Sequence, residues 1–312
     1  MSEVRTGYAE TSGDIKLYYE DTGDGIPVIF VHEFGGDYQS WEPQVRYFAH
    51  RFRAITFNAR GYPPSDVPED PALYSQDRAI DDIAAVMRHL KIDKAHIVGF
   101  SMGSFAALYF GLRYPELARS LTVVCCGYGT QEGWDDIHKN NFFALADALE
   151  KEGMDGEAAR RYAMGSTRVQ FALKDPRGWR EFADRFITFN SIGAANTLRH
   201  VISARPSVFD LEAEFKKMTV PVLLITGDED EQTLLPGVFM KNAIPTAGLC
   251  ILPRIGHSLN LEEPALFNMM LYDFFTAVEL GRWKARDPRT KMTKEYLAPA
   301  SALDRASHKK QS

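Results

Sequence analysis

The segment Ile97-Val98-Gly99-Phe100-Ser101-Met102-Gly103-Ser104 constrains this chain more than any other stretch. An apolar β-type run ends in Gly-x-Ser-x-Gly and passes directly into Phe105-Ala106-Ala107-Leu108-Tyr109-Phe110, which reads as helix. A strand that bends at once into a helix needs small residues where the two meet, and Gly99, Gly103 and Ser104 supply them. Such a turn, a nucleophile elbow, pushes its central serine outward at the head of a sheet. The five-residue pattern also occurs by chance. The strand before it and the helix after it give it weight here.

A serine hydroxyl is a poor nucleophile at neutral pH unless an imidazole takes its proton and a carboxylate orients that imidazole. Downstream, Val220-Pro221-Val222-Leu223-Leu224-Ile225-Thr226 is an apolar strand ending in Gly227-Asp228-Glu229-Asp230. Further on, Cys250-Ile251-Leu252-Pro253-Arg254-Ile255-Gly256-His257 brings a histidine just past another strand. Of the eight histidines, His257 is the best-placed base. His89 falls in a helix, His96 opens the elbow strand, His50 lies near a helix end, His138 and His200 lie in a helical region, and His308 is near the C-terminus. Asp228 and Asp230 both remain candidates for the acid. Upstream, Val28-Ile29-Phe30-Val31-His32-Glu33-Phe34-Gly35-Gly36 is a strand entering a glycine-rich loop, suited to binding an oxyanion.

These elements, in this order, resemble the α/β-hydrolase superfamily, and within it the serine esterase, lactonase and cofactor-free haloperoxidase-like branch. The resemblance covers about residues 8–280 and rests on the elbow, the strand followed by Gly-Asp-x-Asp, and the late Gly256-His257. A weaker mark is Asn58-Ala59-Arg60-Gly61-Tyr62-Pro63-Pro64-Ser65-Asp66. The family more often has Asp-x-Arg-Gly-x-Gly-x-Ser there, so Asn58 and the Pro63-Pro64 pair depart from it in loop shape rather than in chemistry.

The resemblance implies an α/β fold: a mainly parallel central sheet flanked by helices, with a helical cap inserted before the strand that carries the acid. It implies Ser101 as nucleophile, His257 as base and Asp230 as the orienting acid, with Asp228 forming the turn. The oxyanion donors would be the backbone N–H groups of Met102, the residue after the nucleophile, and of Phe34. The implied activity is cleavage of a small carboxylic ester or lactone through an acyl-enzyme. Carbon–carbon cleavage of a ring-fission product and a hydrolase-like ligand receptor are the alternatives. Epoxide hydrolases and haloalkane dehalogenases of this fold resemble one another in carrying Asp at the elbow, which Ser101 argues against.

Glu33 stands where the family commonly has Gly. A carboxylate aimed into an oxyanion site would oppose the charge that develops there. Glu33 is therefore expected to face solvent or to pair with an arginine. A contact with a polar substrate group is the alternative, and His32 is read as a brace for the loop.

The chain has 312 residues, 45% hydrophobic, enough for one large core with an inserted lid. Short apolar runs near 27–31, 53–57, 95–99, 120–125, 221–226 and 248–252 are the expected parallel strands, with an edge strand at 15–19. Ile80, Ile83, Met87 and Leu90 recur at helical spacing, and a last helix is expected from Glu262 to Leu280. The alternation breaks between 127 and 218, where helical patterns run near 135–152, 155–173, 176–190 and 193–204. The expected division is a core of residues 1–126 and 219–280, a helical cap of 127–218 hinged at Gly127-Tyr128-Gly129, and a polar tail of 281–312. Trp134, Phe142, Phe143, Trp179, Phe186 and Phe189 are expected to form cap core rather than substrate wall. Charge in the cap is nearly balanced. That disfavours a strongly charged substrate, although a single arginine turned inward can hold a carboxylate.

A net charge of −6 with interspersed signs argues against nucleic acid. Three cysteines give no disulfide framework, and the start of the chain lacks the pattern of a signal peptide. No apolar stretch approaches a membrane span. A cytoplasmic protein with a small-molecule substrate is expected, binding neither nucleic acid nor membrane, with homo-oligomerisation left open. There is no His-Glu-x-x-His, no Cys-x-x-Cys and no Gly-x-Gly-x-x-Gly after a strand, so no metal and no cofactor are expected.

Overall fold

Eight strands form one sheet in the order β1-β2-β4-β3-β5-β6-β7-β8. The computed structural model describes residues 3–127 and 135–290. Tyr128, Gly129, Trp134 and His308, and the tail beyond residue 290, lie outside the described residues, as does the side chain of His138. β1 (Arg5–Thr11) pairs antiparallel with β2 (Ile15–Thr22), which pairs antiparallel with β4 (Phe52–Phe57). The other pairings are parallel: β3 (Ile26–Val31) lies between β4 and β5 (Ala95–Phe100), followed by β6 (Ala118–Val124), β7 (Val222–Gly227) and β8 (Ala247–Leu252). All residues of β5 and of β7 are buried. Helices cover both faces of these central strands, so their sequences read as unbroken apolar runs.

One face carries the helices Gln76–His89 and Met102–Arg113, packed through residues such as Ile83, Phe105 and Phe110. On the opposite face, Trp41 and Phe48 pack with Phe267 and Phe275 of the helix Pro264–Glu279. Fully burying an aromatic or branched aliphatic side chain contributes about 1.5–3 kcal/mol, so these two layers hold the sheet rigid. A rigid sheet fixes the loops that leave the C-terminal ends of its parallel strands. Ligands bind at those ends in open α/β sheets.

Between β6 and β7 the described chain is helical: Asp135–Glu152, Glu157–Ala163, Val169–Lys174, Pro176–Phe186 and Ser191–Asn196, then a widened turn at Thr197–Ile202 and the short helix Glu212–Phe215. Phe171, Phe182, Phe186 and Leu198 form a third cluster, which also takes in Phe34 and Met102 from the sheet. Phe186 and Phe189 are buried there, whereas Phe143 is exposed. The expected helix 155–173 is broken at Gly165, where a single 3-10 turn (Ser166–Arg168) re-aims the chain.

Candidate active site

The elbow is built as its small residues dictate. Ser101 has φ 51° and ψ −111°, a strained conformation for a residue with a side chain. Its amide donates to the carbonyl of Val124 at 2.9 Å, tying the bend to β6. A Cβ on Gly99 would come within 2.1 Å of the Gly103 carbonyl oxygen, and one on Gly103 within 2.3 Å of the Val31 oxygen. The helix Met102–Arg113 starts so close to the sheet that only hydrogen fits at either position. Met102 is its first residue, so the Met102 N–H has no carbonyl four residues back to bond.

The loops after β7 and β8 meet beside the elbow. His257 Nδ1 lies 2.7 Å from Asp230 Oδ2, and Thr233 Oγ1 donates to the same oxygen at 3.0 Å. Burial alone would raise the Asp230 carboxyl. The charge and hydrogen bond of His257, with hydrogen bonds from Thr233 and Cys125, hold it below the ordinary carboxylate value. Asp228 points elsewhere and accepts from the amide of Arg254 at 2.6 Å, shaping the turn before the histidine. Gly227 lets the two loops close up, since a Cβ there would lie 2.0 Å from the Ile255 carbonyl oxygen.

Glu262 fastens the histidine from below. Its carboxylate accepts from the amides of Gly256 at 2.9 Å and Ser258 at 3.0 Å, the two residues flanking His257. Sequence reasoning saw Glu262 only as a helix start. A carboxylate six residues after Gly256, at the opening of a helix, was the available signal.

The loop after β3 presents the Phe34 amide. His32 Nδ1 lies 2.7 Å from the Glu33 carbonyl oxygen, and the Gly36 amide donates to that same oxygen at 3.2 Å. His32 Nε2 accepts from the Ala59 amide at 3.0 Å, so Nδ1 carries the proton and the ring is neutral. Burial also pushes the His32 pKa down. With the Glu33 carbonyl pinned by two donors, the Phe34 N–H, on the opposite side of a trans peptide, is fixed in direction. Tyr62 donates to the Phe34 carbonyl at 3.0 Å and secures the next peptide. His32 is thus a brace between two loops.

Glu33 is buried, not solvent-facing, and forms a forked ion pair with Arg168, whose Nη1 lies 3.0 Å from Oε1 while Nη2 meets Oε2. Arg168 Nη1 also donates to Ser258 Oγ at 2.6 Å. The pair links the loop after β3, the helical segment and the residue after His257. Its carboxylate is neutralised before it can oppose an oxyanion.

Ser101, His257, Phe34 and Met102 line one cavity of about 260 Å³. Its other walls come from the segment between β6 and β7, including Phe142, Leu145, Leu198, Ile202 and Arg205. Among the described residues, Cys125, Asp230 and His257 bring candidate metal-ligand atoms within 4.8 Å of one another. Burial, with the nearby Asp230 charge, pushes the Cys125 thiol well up, and the Asp230–His257 hydrogen bond already uses the facing atoms. This set suits a thiol donating to a carboxylate better than it suits a cation.

Residues 26–264 match the alpha/beta hydrolase fold family. The chain belongs to that family. Within this α/β-hydrolase superfamily it falls in the lactonase and haloperoxidase-like branch. It is 26% identical over 255 residues to 3-oxoadipate enol-lactonase 1 of Acinetobacter baylyi, covering 81% of this chain and 89% of that one. It is 25% identical over 276 residues to a non-haem chloroperoxidase-type protein of Synechocystis sp., covering 85% and 96%. The solved structure of a thermophilic esterase from Thermogutta terrifontis superposes with a TM-score of 0.74 at 22% identity, covering 88% of this chain and 99% of that one. This last likeness is one of fold. Of the other histidines in this α/β-hydrolase, His96 lies inside the sheet, stacked on Phe275 and 2.7 Å from Ser120 Oγ through Nδ1.

Proposed function

We propose that the protein is a cofactor-independent serine hydrolase that cleaves a small carboxylic ester or lactone through an acyl-enzyme. Ser101 Oγ attacks the substrate carbonyl while His257 Nε2 takes its proton. Asp230 holds the Nδ1–H tautomer and stabilises the imidazolium that forms. The carbonyl electrons move onto oxygen, which the Phe34 and Met102 N–H groups receive. Collapse breaks the bond to the alkoxy group, and His257 returns its proton to the leaving oxygen. Water then attacks the acyl-serine by the same route, releasing the acid and restoring Ser101.

The observation that carries this reading is the 2.7 Å contact of buried Asp230 with His257, which lines the same cavity as Ser101. The enol-lactonase relative, a lactone-cleaving protein by name, supports a lactone as one substrate class. Among the described residues no helix is long and apolar enough to cross a membrane. Cys125, Cys126 and Cys250 are free thiols, which suits the reducing cytoplasm.

The test pairs p-nitrophenyl acetate turnover with labelling by a fluorophosphonate probe, in wild type and Ser101→Ala. Steady turnover and labelling that both vanish in the variant are expected. A stoichiometric burst without turnover points to a receptor, and cleavage of a ring-fission dienoate with no ester activity points to carbon–carbon hydrolysis. Undiminished turnover in Ser101→Ala would end the serine mechanism.

A further inference from the structure

A second cavity, of about 510 Å³, shares no described residue with the one that Ser101 lines. Its walls are the start of the helix Gln76–His89, the end of the helix Met102–Arg113 and parts of the stretch 200–211. Gln76 lines it while only 8% exposed, and neither Nε2 nor Oε1 of its carboxamide has a hydrogen-bond partner among the described residues. We propose that this cavity binds a small neutral molecule with a cis-amide edge, a lactam or cyclic imide, whose N–H and C=O pair with the Gln76 carboxamide. The inference is independent of the serine-hydrolase reading.

The other polar side chains that the two helices bring to this cavity are engaged. Ser75 Oγ accepts from the Arg78 amide at 3.1 Å, and Tyr109 donates to the Pro206 carbonyl at 3.0 Å. Arg113 pairs with Asp77 and, at 3.1 Å, with Asp81. These charges answer one another, so they do not select an ion. Gln76 differs. Its carboxamide sets a donor beside an acceptor, and burying both unmet is costly, a cost that an apolar side chain would avoid. A ligand that meets both at once carries C=O and N–H on the same side, as a lactam or cyclic imide does. An ester or lactone has no N–H, and neither has a carboxylate. The last torsion of the Gln76 side chain is soft, so the amide plane can tilt to meet such an edge. Ile80, Leu112, Pro206 and Leu211 line the rest, giving the mostly apolar wall with few polar groups that small-molecule sites share.

The stretch that closes this cavity also reaches the other one. His200, Ala204 and Pro206 line the second cavity, whereas Leu198, Ile202 and Arg205 line the first. Both sets lie on or just after the widened turn Thr197–Ile202, a kind of backbone irregularity frequent at functional sites.

The test titrates caprolactam into the full chain by ligand-observed NMR, with N-methylcaprolactam and cycloheptanone, which lack the N–H, as controls. Wild type is expected to bind caprolactam about tenfold or more tightly than either control, the scale of two neutral hydrogen bonds. Gln76→Met should weaken caprolactam binding by a similar factor, and so should Ala204→Trp, which fills the cavity from an exposed position. Without ligand, Gln76→Met is expected to melt no lower than wild type, because the amide it removes has no partner. No caprolactam binding by wild type, equal binding of the N-methyl compound, or binding unchanged in Gln76→Met overturns the proposal. A clearly lower melting temperature for Gln76→Met also overturns it, since the amide would then serve the fold. Binding lost in Leu198→Trp but kept in both other variants would place the lactam beside Ser101 and overturn it as well. If one variant does not fold, the other and the N-methyl control decide.

Discussion

Asp230 Oδ2 and His257 Nδ1 stand 2.7 Å apart although 27 residues separate them in sequence. Asp228, two positions earlier, spends its carboxylate on the Arg254 amide. The two acids of one tetrapeptide thus do different work, and substitution should separate them. Asp230→Asn is expected to keep the fold and lower kcat by about 10⁴, by analogy with the serine-protease acid. Asp228→Asn keeps an acceptor and should change kcat less than about threefold, within the range of surface substitutions. Steady-state rates on p-nitrophenyl acetate, with circular dichroism for folding, check both.

The Glu33–Arg168 pair is almost wholly buried. Arg168→Met strands a carboxylate in the interior and should cost about 3–5 kcal/mol of stability. The double variant Glu33→Gln, Arg168→Met removes the charge with its partner and is expected to recover much of that loss. Urea unfolding of the four proteins in a double-mutant cycle gives the coupling directly. Additive losses would show that the two side chains do not depend on each other.

Burial holds the His96 pKa down at about 3, the charge of Arg119 adding to it. The unfolded chain therefore binds a proton at this site over the range between about 3 and the ordinary histidine value near 6.5, where the folded protein does not. Stability from His96 is present above that window and is lost as pH falls through it. The unfolding free energy of wild type should drop by up to about 1.4 kcal/mol more per pH unit than that of His96→Gln between pH ~4 and ~6. Denaturant melts at several pH values measure the two slopes, and equal slopes would count against a neutral buried His96.

Gly103→Ala places a methyl group 2.3 Å from the Val31 carbonyl oxygen, backbone that cannot rotate away. The helix must back off from the sheet, so the variant is expected to lose about 2 kcal/mol or more, the scale of overpacking. Even when folded it should show at least tenfold lower turnover, because the Met102 amide moves with the helix. Thermal melts and fluorophosphonate labelling rates test the two effects separately.

What the sequence revealed depended on how local each cause is. The central strands were legible because both faces of β5 and β7 are covered, leaving runs of apolar residues. β1 was not, since in Arg5–Thr11 Ala9 is the buried residue and the rest alternates among exposed and part-exposed positions. The helix Glu231–Ala243 escaped notice because Pro236 and Gly237, which read as helix breakers, lie inside it. Within the site, the elbow advertised itself, its strain being relieved by glycines a few positions away. Arg168 did not, because its partner Glu33 lies 135 residues away in sequence, and Glu262 offered only a carboxylate at the opening of a helix, with nothing to mark it as buried. Glu33 showed as a misfit, but its remedy could be seen only in three dimensions.

The cavity is assembled from two separate lengths of chain. Phe34, Ser101, Met102 and His257 rise from the sheet, while Leu145, Leu198, Ile202 and Arg205 descend from the excursion between β6 and β7. On the serine-hydrolase reading, the groups that break the bond and the mould around the substrate are carried on different stretches of polypeptide. An excursion of altered shape, spliced in at the same two strand ends, would give the same reaction a new diet.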